Sequence, residues 1–166
     1  DKLFVGNLNA KRDWGHAKDY VKAMYLILQQ PVAEDYVIAT GITTTVRDFI
    51  GKSFLEAGVK LRFEGEGANE IGIVDEIDMT KFVDMELTES SIAIGKQVVA
   101  VDTAYFRPTE VDLLIGDATK ARTKLGWTPE YDLDALVKDM MQSDIELMKK
   151  EKFLQRAGFR TLNYFE

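Results

Sequence analysis

The sequence predicts an α/β fold with few strands, and two observations lead there. Short runs of β-branched and apolar residues alternate with longer stretches in which apolar side chains recur at helical spacing. The chain has 166 residues, 46% of them hydrophobic, which suits one domain with a sizeable core. Three or four strands are few for a self-sufficient doubly wound sheet. The expectation is therefore the back part of a longer protein, with one folded portion over residues 1–150 and a tail over 151–166 whose structure the sequence leaves open.

Leu3–Val5 reads as a short strand closed by Gly6-Asn7. From His16 to Gln29, the residues Ala17, Val21, Met24, Tyr25 and Leu28 recur at helical spacing and predict an amphipathic helix, stopped by Pro31. Tyr36–Thr40 is a compact β-branched and aromatic run that predicts a buried strand. Thr45-Val46-Arg47-Asp48 resembles a capping box, with Asp in the place of Glu or Gln. Val46, Phe49, Ile50, Phe54 and Ala57 then mark one helix face, and Gly58 stands where a C-terminal cap belongs. Val59–Phe63 is a further strand. Glu64 to Gly95 carries nine carboxylates against Lys81 alone and shows no period, so it reads as an exposed, mobile excursion. Gln97–Val101 is a strand and Asp102–Asp112 a loop. Asp117 caps a short helix ended by Gly126. Asp132 caps a longer one whose buried stripe is Leu133, Leu136, Val137, Met140 and Met141, continuing towards Ile145 and Met148.

Composition narrows function. With 28 acidic against 21 basic residues the net charge is −7, which argues against nucleic acid as a partner, since that affinity comes from cations neutralising phosphates. No cysteine is present, so disulfides, thiolate metal sites and cysteine nucleophiles are excluded, and a single histidine excludes a multi-histidine metal site. No run of 18 apolar residues exists to span a membrane, and the first residues lack the plan of a signal peptide, so the expected setting is cytoplasmic.

Several chemistries are missing. No Walker-type loop occurs, and Gly65-Glu66-Gly67-Ala68-Asn69-Glu70 has Glu where the third glycine of a dinucleotide fingerprint belongs, beside carboxylates that repel a pyrophosphate. No tyrosine is followed four residues later by lysine. His16 lies between Asp13 and Asp19, but these fall on different sides of a helix. A helix-start histidine bonded to a neighbouring carboxylate or backbone is the expected arrangement. The acidic run lacks the spacing of a calcium loop.

Two segments carry chemistry that is present. In Gly6 to His16, two glycines, two asparagines, Lys11, Arg12 and Trp14 crowd into one strand-to-helix loop. The guanidinium fork matches phosphate oxygens, an asparagine amide reads hydroxyls, and a following helix N-terminus favours an anion. In Tyr105 to Asp112, Pro108 stiffens a loop bearing Arg107, and Glu110 is placed to accept from ribose hydroxyls. Together the two could grip a nucleotide diphosphate. The same spacing equally allows Arg12 to pair with Asp13 or Asp19, and Arg107 with Glu110 or Asp112, as modest surface pairs.

Arg12 to Val21, preceded by Gly6-Asn7-Leu8-Asn9-Ala10-Lys11, resembles the strand-to-helix junction of the extended short-chain dehydrogenase/reductase family. The likeness is to its dehydratases and epimerases of nucleotide sugars, and closest to the branch that dehydrates GDP-mannose. Tyr36–Gly41, Thr45–Phe49, Tyr105–Asp112, Gly116–Ala121 and Leu125–Pro129 match the family in order and spacing, so the resemblance runs from about Phe4 to Lys149, apart from the acidic stretch. That stretch, after Gly72, is longer than the family pattern and leaves the local lid geometry open.

The resemblance implies the C-terminal, substrate-binding part of an extended Rossmann-type fold. The front half of that family carries the NADP fingerprint and the catalytic Thr, Glu, Tyr and Lys. Carried over by motif, Arg12 and Arg107 would hold the diphosphate and Glu110 the guanosine ribose, with Asn7 and Lys11 as neighbouring contacts. The implied reaction turns GDP-mannose into GDP-4-keto-6-deoxymannose, with hydride passing from C4 to NADP and back to C6 around loss of water across C5–C6. The implied partners are GDP-mannose, an N-terminal Rossmann half and further copies of the protein, and the 166 residues alone are expected to be inactive. Two other readings remain open: a different nucleotide-sugar epimerase or dehydratase, and a non-catalytic acidic interaction domain.

Overall fold

A computed structural model describes residues 2–84, 92–106 and 115–161. The elements in chain order are β1 (Leu3–Val5), β2 (Lys11–Asp13), α1 (Ala17–Leu28), β3 (Thr43–Thr45), α2 (Val46–Glu56), β4 (Val59–Glu64), β5 (Ile71–Ile77), α3 (Met79–Asp84), β6 (Gln97–Val101) and α4 (Leu133–Arg156). A 3-10 turn at Gly67–Asn69 joins β4 to β5, and a π-helical turn at Ala121–Leu125 precedes α4. One sheet has the order β1-β6-β5-β4, in which β1 and β6 are parallel and the other pairs antiparallel. β2 and β3 form a separate antiparallel ribbon. The mixed α/β class is the one expected.

The α2 region follows from its sequence. The Thr45 hydroxyl accepts from the Asp48 amide at 3.0 Å and donates to the Asp48 carboxylate, closing the N-terminus. Gly58, with φ +77°, turns the chain out of the helix, and its amide returns to Leu55 O. α2 lays Ile50 on the sheet, where it meets Leu8, Val59, Val74, Val98 and Val99 in one core. A second core gathers Ala23, Ala39, Ala118 and Ala121 around the fully buried Trp127.

Four expectations change. The acidic run is not an exposed excursion over its described part, because β5 is an interior strand of the sheet, with Ile73 and Val74 buried. Its carboxylates hid it in the sequence. Their partners are cations of β4: Lys60 pairs with Glu76 and Asp75, and Arg62 with Asp75. Residues 85–91 of the run lie outside the described residues. Tyr36–Thr40 joins no ladder. Side chains hold this segment instead: the Asp13 carboxylate takes the amides of Thr40 and Gly41, while Lys120 and Arg122 donate to the carbonyls of Asp35 and Thr40.

The other two concern helix faces. The periodic stripe of α1 faces outward, with Val21 62% and Leu28 80% exposed, while Asp19 and Ala23 are buried. The cause is polar: Trp127 Nε1 donates to Asp19 O at 2.9 Å, and the Asp19 carboxylate accepts from the amides of Glu130 and Tyr131. These bonds turn the Asp19–Ala23 face to Trp127. On α4 only Leu136 and Val137 of the expected stripe are buried, and Met140 and Met148 are exposed, so the buried positions are confined to the start of the helix. The helix continues to Arg156, so the expected division after residue 150 falls inside it.

The Asp19 clasp carries two stability expectations. Asp19→Ala leaves the part-buried amides of Glu130 and Tyr131 without their acceptor and should lower unfolding free energy by about 1–3 kcal/mol, read by urea denaturation. Gly72→Ala places a Cβ 2.9 Å from Val99 Cβ and 3.1 Å from the Phe63 ring, between two packed side chains, and should cost about 1–3 kcal/mol in the same assay.

Candidate functional site

The parallel pair decides where the site lies. Because β1 and β6 run the same way, the loops that follow them leave the sheet at one edge, the position at which ligands sit in sheets of this kind. The loop after β1 carries Asn7 and leads to Arg12. The one after β6 begins at Asp102, whose amide donates to Val5 O at 2.9 Å and whose carbonyl accepts from the amides of Tyr105 and Phe106. That turn swings the chain back over β1. Gly6 permits the close approach, since a Cβ there would lie 2.4 Å from Tyr105 O.

An open cavity of about 460 Å³ results, walled by Phe4 and Val46 and bearing Asn7, Arg12 and Tyr105. Asn7 Oδ1 accepts the Asn9 amide at 2.9 Å, so the side chain is held by its own loop. Arg12 is half-buried, with Nη1 donating to Lys11 O at 2.8 Å. The carboxylates of Asp13 and Asp19 accept the backbone amides of Thr40, Gly41, Glu130 and Tyr131. Of the expected site residues, Asn7 and Arg12 thus share one cavity. Lys11 is exposed and does not line it, while Arg107 and Glu110 lie outside the described residues.

The rest of the Arg12–Tyr20 motif builds structure. Trp14 stacks on Phe49 at 4.2 Å and donates to Thr44 O. Gly15 makes room for the Tyr20 hydroxyl, which would lie 2.1 Å from a Cβ. His16 is the N-cap of α1: Nδ1 accepts the Lys18 amide at 3.1 Å, Nε2 bonds the Asp139 carboxylate, and the ring stacks on Tyr131 at 4.3 Å. Its carboxylate partner comes from α4, 123 positions away, rather than from Asp13 or Asp19. The Lys18 ammonium, and after it His16, hold the Asp139 carboxyl below the usual carboxylate range.

Sequence reasoning missed the residues behind the cavity. Arg47 Nε donates to the Glu70 carboxylate at 2.6 Å and Nη2 to Asn9 Oδ1 at 2.7 Å. Glu70 is 3% exposed, and its bond raises the Arg47 pKa. A buried acid inside a run read as solvated gave no local sign of this. Among the described residues no group of three or more His, Asp or Glu side chains is gathered as a metal ion needs, and no helix is long and apolar enough to cross a membrane.

The chain is 45% identical over 157 residues to GDP-mannose 4,6-dehydratase of Vibrio cholerae serotype O1, covering 95% of this chain and 40% of that one. It is 49% identical over 145 residues to the human GDP-mannose 4,6 dehydratase, covering 87% of this chain and 34% of that one. The chain therefore spans well under half the length of these relatives. Among solved structures, UDP-glucose 4-epimerase from Stenotrophomonas maltophila, with bound NAD and formylated UDP-arabinopyranose, matches with TM-score 0.59 at 16% identity. That match covers 90% of this chain and 36% of the epimerase. RMD from Pseudomonas aeruginosa, complexed with NADPH, matches with TM-score 0.55 at 17% identity, over 89% of this chain and 36% of the other. At such identities these two show a shared fold alone. The family model for GDP-mannose 4,6 dehydratase matches residues 1–140, and the chain belongs to that family.

Proposed function

We propose that this chain supplies the nucleotide-sugar site of an enzyme that converts GDP-mannose to GDP-4-keto-6-deoxymannose, with Arg12 and Asn7 holding the diphosphate end of the substrate. One observation carries the reading: the loops after the two parallel strands meet over a single cavity that holds Asn7, Arg12 and Tyr105. Arg107 follows Tyr105 by two residues, and Glu110 by five. A guanidinium beside an amide in a concave, half-buried site suits phosphate oxygens. The tyrosine and Phe4 offer apolar surface to a base or sugar ring.

The described residues do not fit NADP. The one glycine-rich turn, over residues 65–70, joins β4 to β5 and presents carboxylates: Glu64 bonds Arg62, and Glu70 is buried against Arg47. We therefore assign the cofactor and the proton-transferring groups to a separate Rossmann portion, and the part played by these residues is to bind and orient the sugar nucleotide. The exposed apolar face of α1, made by Val21, Met24, Tyr25 and Leu28, supports the existence of such a packing partner.

Calorimetric titration tests the reading. GDP should bind the chain more tightly than UDP or dTDP. Arg12→Ala should weaken GDP by about 10–100-fold, as the loss of a charge-assisted phosphate contact implies. Equal affinity for the three nucleotides would favour another nucleotide-sugar enzyme, and an unaltered Arg12→Ala titration would end the assignment. Gly6→Ala should also weaken GDP, because its methyl displaces Tyr105 from the cavity. The chain alone should show no turnover of GDP-mannose, and measurable dehydration would refute the division of labour.

A further inference from the structure

We propose that Glu70 is a positioning residue for nucleotide binding, acting through Arg47 and Asn9 on Asn7. The proposal rests on the reading of the cavity given above.

A line of hydrogen bonds runs from the sheet to the cavity wall. Glu70, at the start of β5, is buried, and its carboxylate takes Arg47 Nε at 2.6 Å. The same guanidinium reaches the side-chain oxygen of Asn9, Oδ1, through Nη2 at 2.7 Å, and the backbone N–H of Asn9 donates to Asn7 Oδ1 at 2.9 Å. Only a planar fork with separate donors spans two acceptors in this way. A lysine at position 47 would place one point charge and satisfy one of them.

The backbone of the loop has other supports. The first amides of α2 hold it, Val46 N to Ala10 O and Arg47 N to Leu8 O, both at 3.0 Å, and Leu8 is packed in the core. Asn9 differs: its side chain is exposed, and no packing calls for its amide to face Arg47. The guanidinium fixes the Asn9 carbonyl oxygen. The backbone N–H of the same residue occupies Asn7 Oδ1, which leaves Asn7 Nδ2 as the group that donates, and a donor is what a phosphate oxygen or a sugar hydroxyl requires. Glu70 completes the line by anchoring the cation. Without a carboxylate at that buried place, Arg47 would turn to solvent and release Asn9.

The experiment uses the 166-residue chain, with GDP as the probe and amide hydrogen exchange as a second readout. Asn9→Ala cuts the line at its exposed end and leaves the buried Glu70–Arg47 pair intact, so it remains informative even where Arg47→Lys impairs folding. Each single variant should weaken GDP by about fivefold, and the double variant should be no weaker than either single one, as expected for groups acting in series. Exchange at the position-9 amide should quicken about tenfold while Val74 and Val99 keep their protection. Unchanged GDP affinity in Asn9→Ala would overturn the proposal. So would equal quickening at Val74 and Val99, which would mark a purely structural pair. If the parent chain binds no GDP, the reading of the cavity fails. Exchange then decides separately: quickening confined to position 9 upholds the link from Glu70 to the loop, and its absence ends it.

Discussion

Two carboxylates that accept backbone amides hold the chain in its fold. Asp13 and Asp19 lie six positions apart, and neither meets a cation among the bonds described above. Asp13 takes the amides of Thr40 and Gly41, and Asp19 those of Glu130 and Tyr131. Backbone N–H groups in irregular segments must find acceptors or remain solvated, and here one short motif supplies them for two remote stretches of chain. The second core depends on this. Trp127 reaches α1 because the residues after it are tied to Asp19, and Ala39 joins the same cluster because Thr40 is tied to Asp13. A motif that reads as a recognition sequence is mostly a clasp.

That distinction explains what could be read in advance. Local devices were legible, since their causes lie within a few residues: the Thr45–Asp48 box, the αL glycine at 58, and the helix-start histidine all formed as their neighbours dictate. Features whose cause is remote were not. β5 was masked because Asp75 and Glu76 are balanced by Lys60 and Arg62 on the neighbouring strand, whereas the charge count within the window saw only Lys81. α1 shows the converse error. Its apolar period was real, but periodicity states that a helix has an apolar face and not that the face is covered within the chain. Tyr36–Thr40 has the composition of a buried strand and, among the described residues, no strand beside it, so side-chain bonds replaced a ladder.

The candidate site divides along the same line. That Asn7 and Arg12 lie near one another was legible because they share a loop, and the motif that carries them was visible. Their meeting with Tyr105 could not be read from spacing. It depends on a missing Cβ at Gly6 and on Asp102, whose amide binds Val5 O and whose carbonyl folds the next turn back. Lys11 illustrates the limit of motif transfer by adjacency. Neighbouring positions on a strand face opposite ways, so the residue beside Arg12 looks out to solvent while Arg12 lines the cavity.

Strand direction accounts for the cavity being where it is. Three of the four sheet strands pair antiparallel with a neighbour, and an antiparallel pair sends its successive loops to opposite ends of the sheet. β1 and β6 are parallel neighbours, so the loops that follow them leave the sheet side by side at one edge. The chain between them holds 91 residues, and it returns to the same edge because β4 and β5 form a hairpin that reverses direction before β6 is reached. The run that looked like an acidic excursion therefore sets the polarity of β6. Glu70 stands at its turn, buried beside the arginine that reaches the loop after β1. The sheet and the site are joined at the segment whose charge had hidden both.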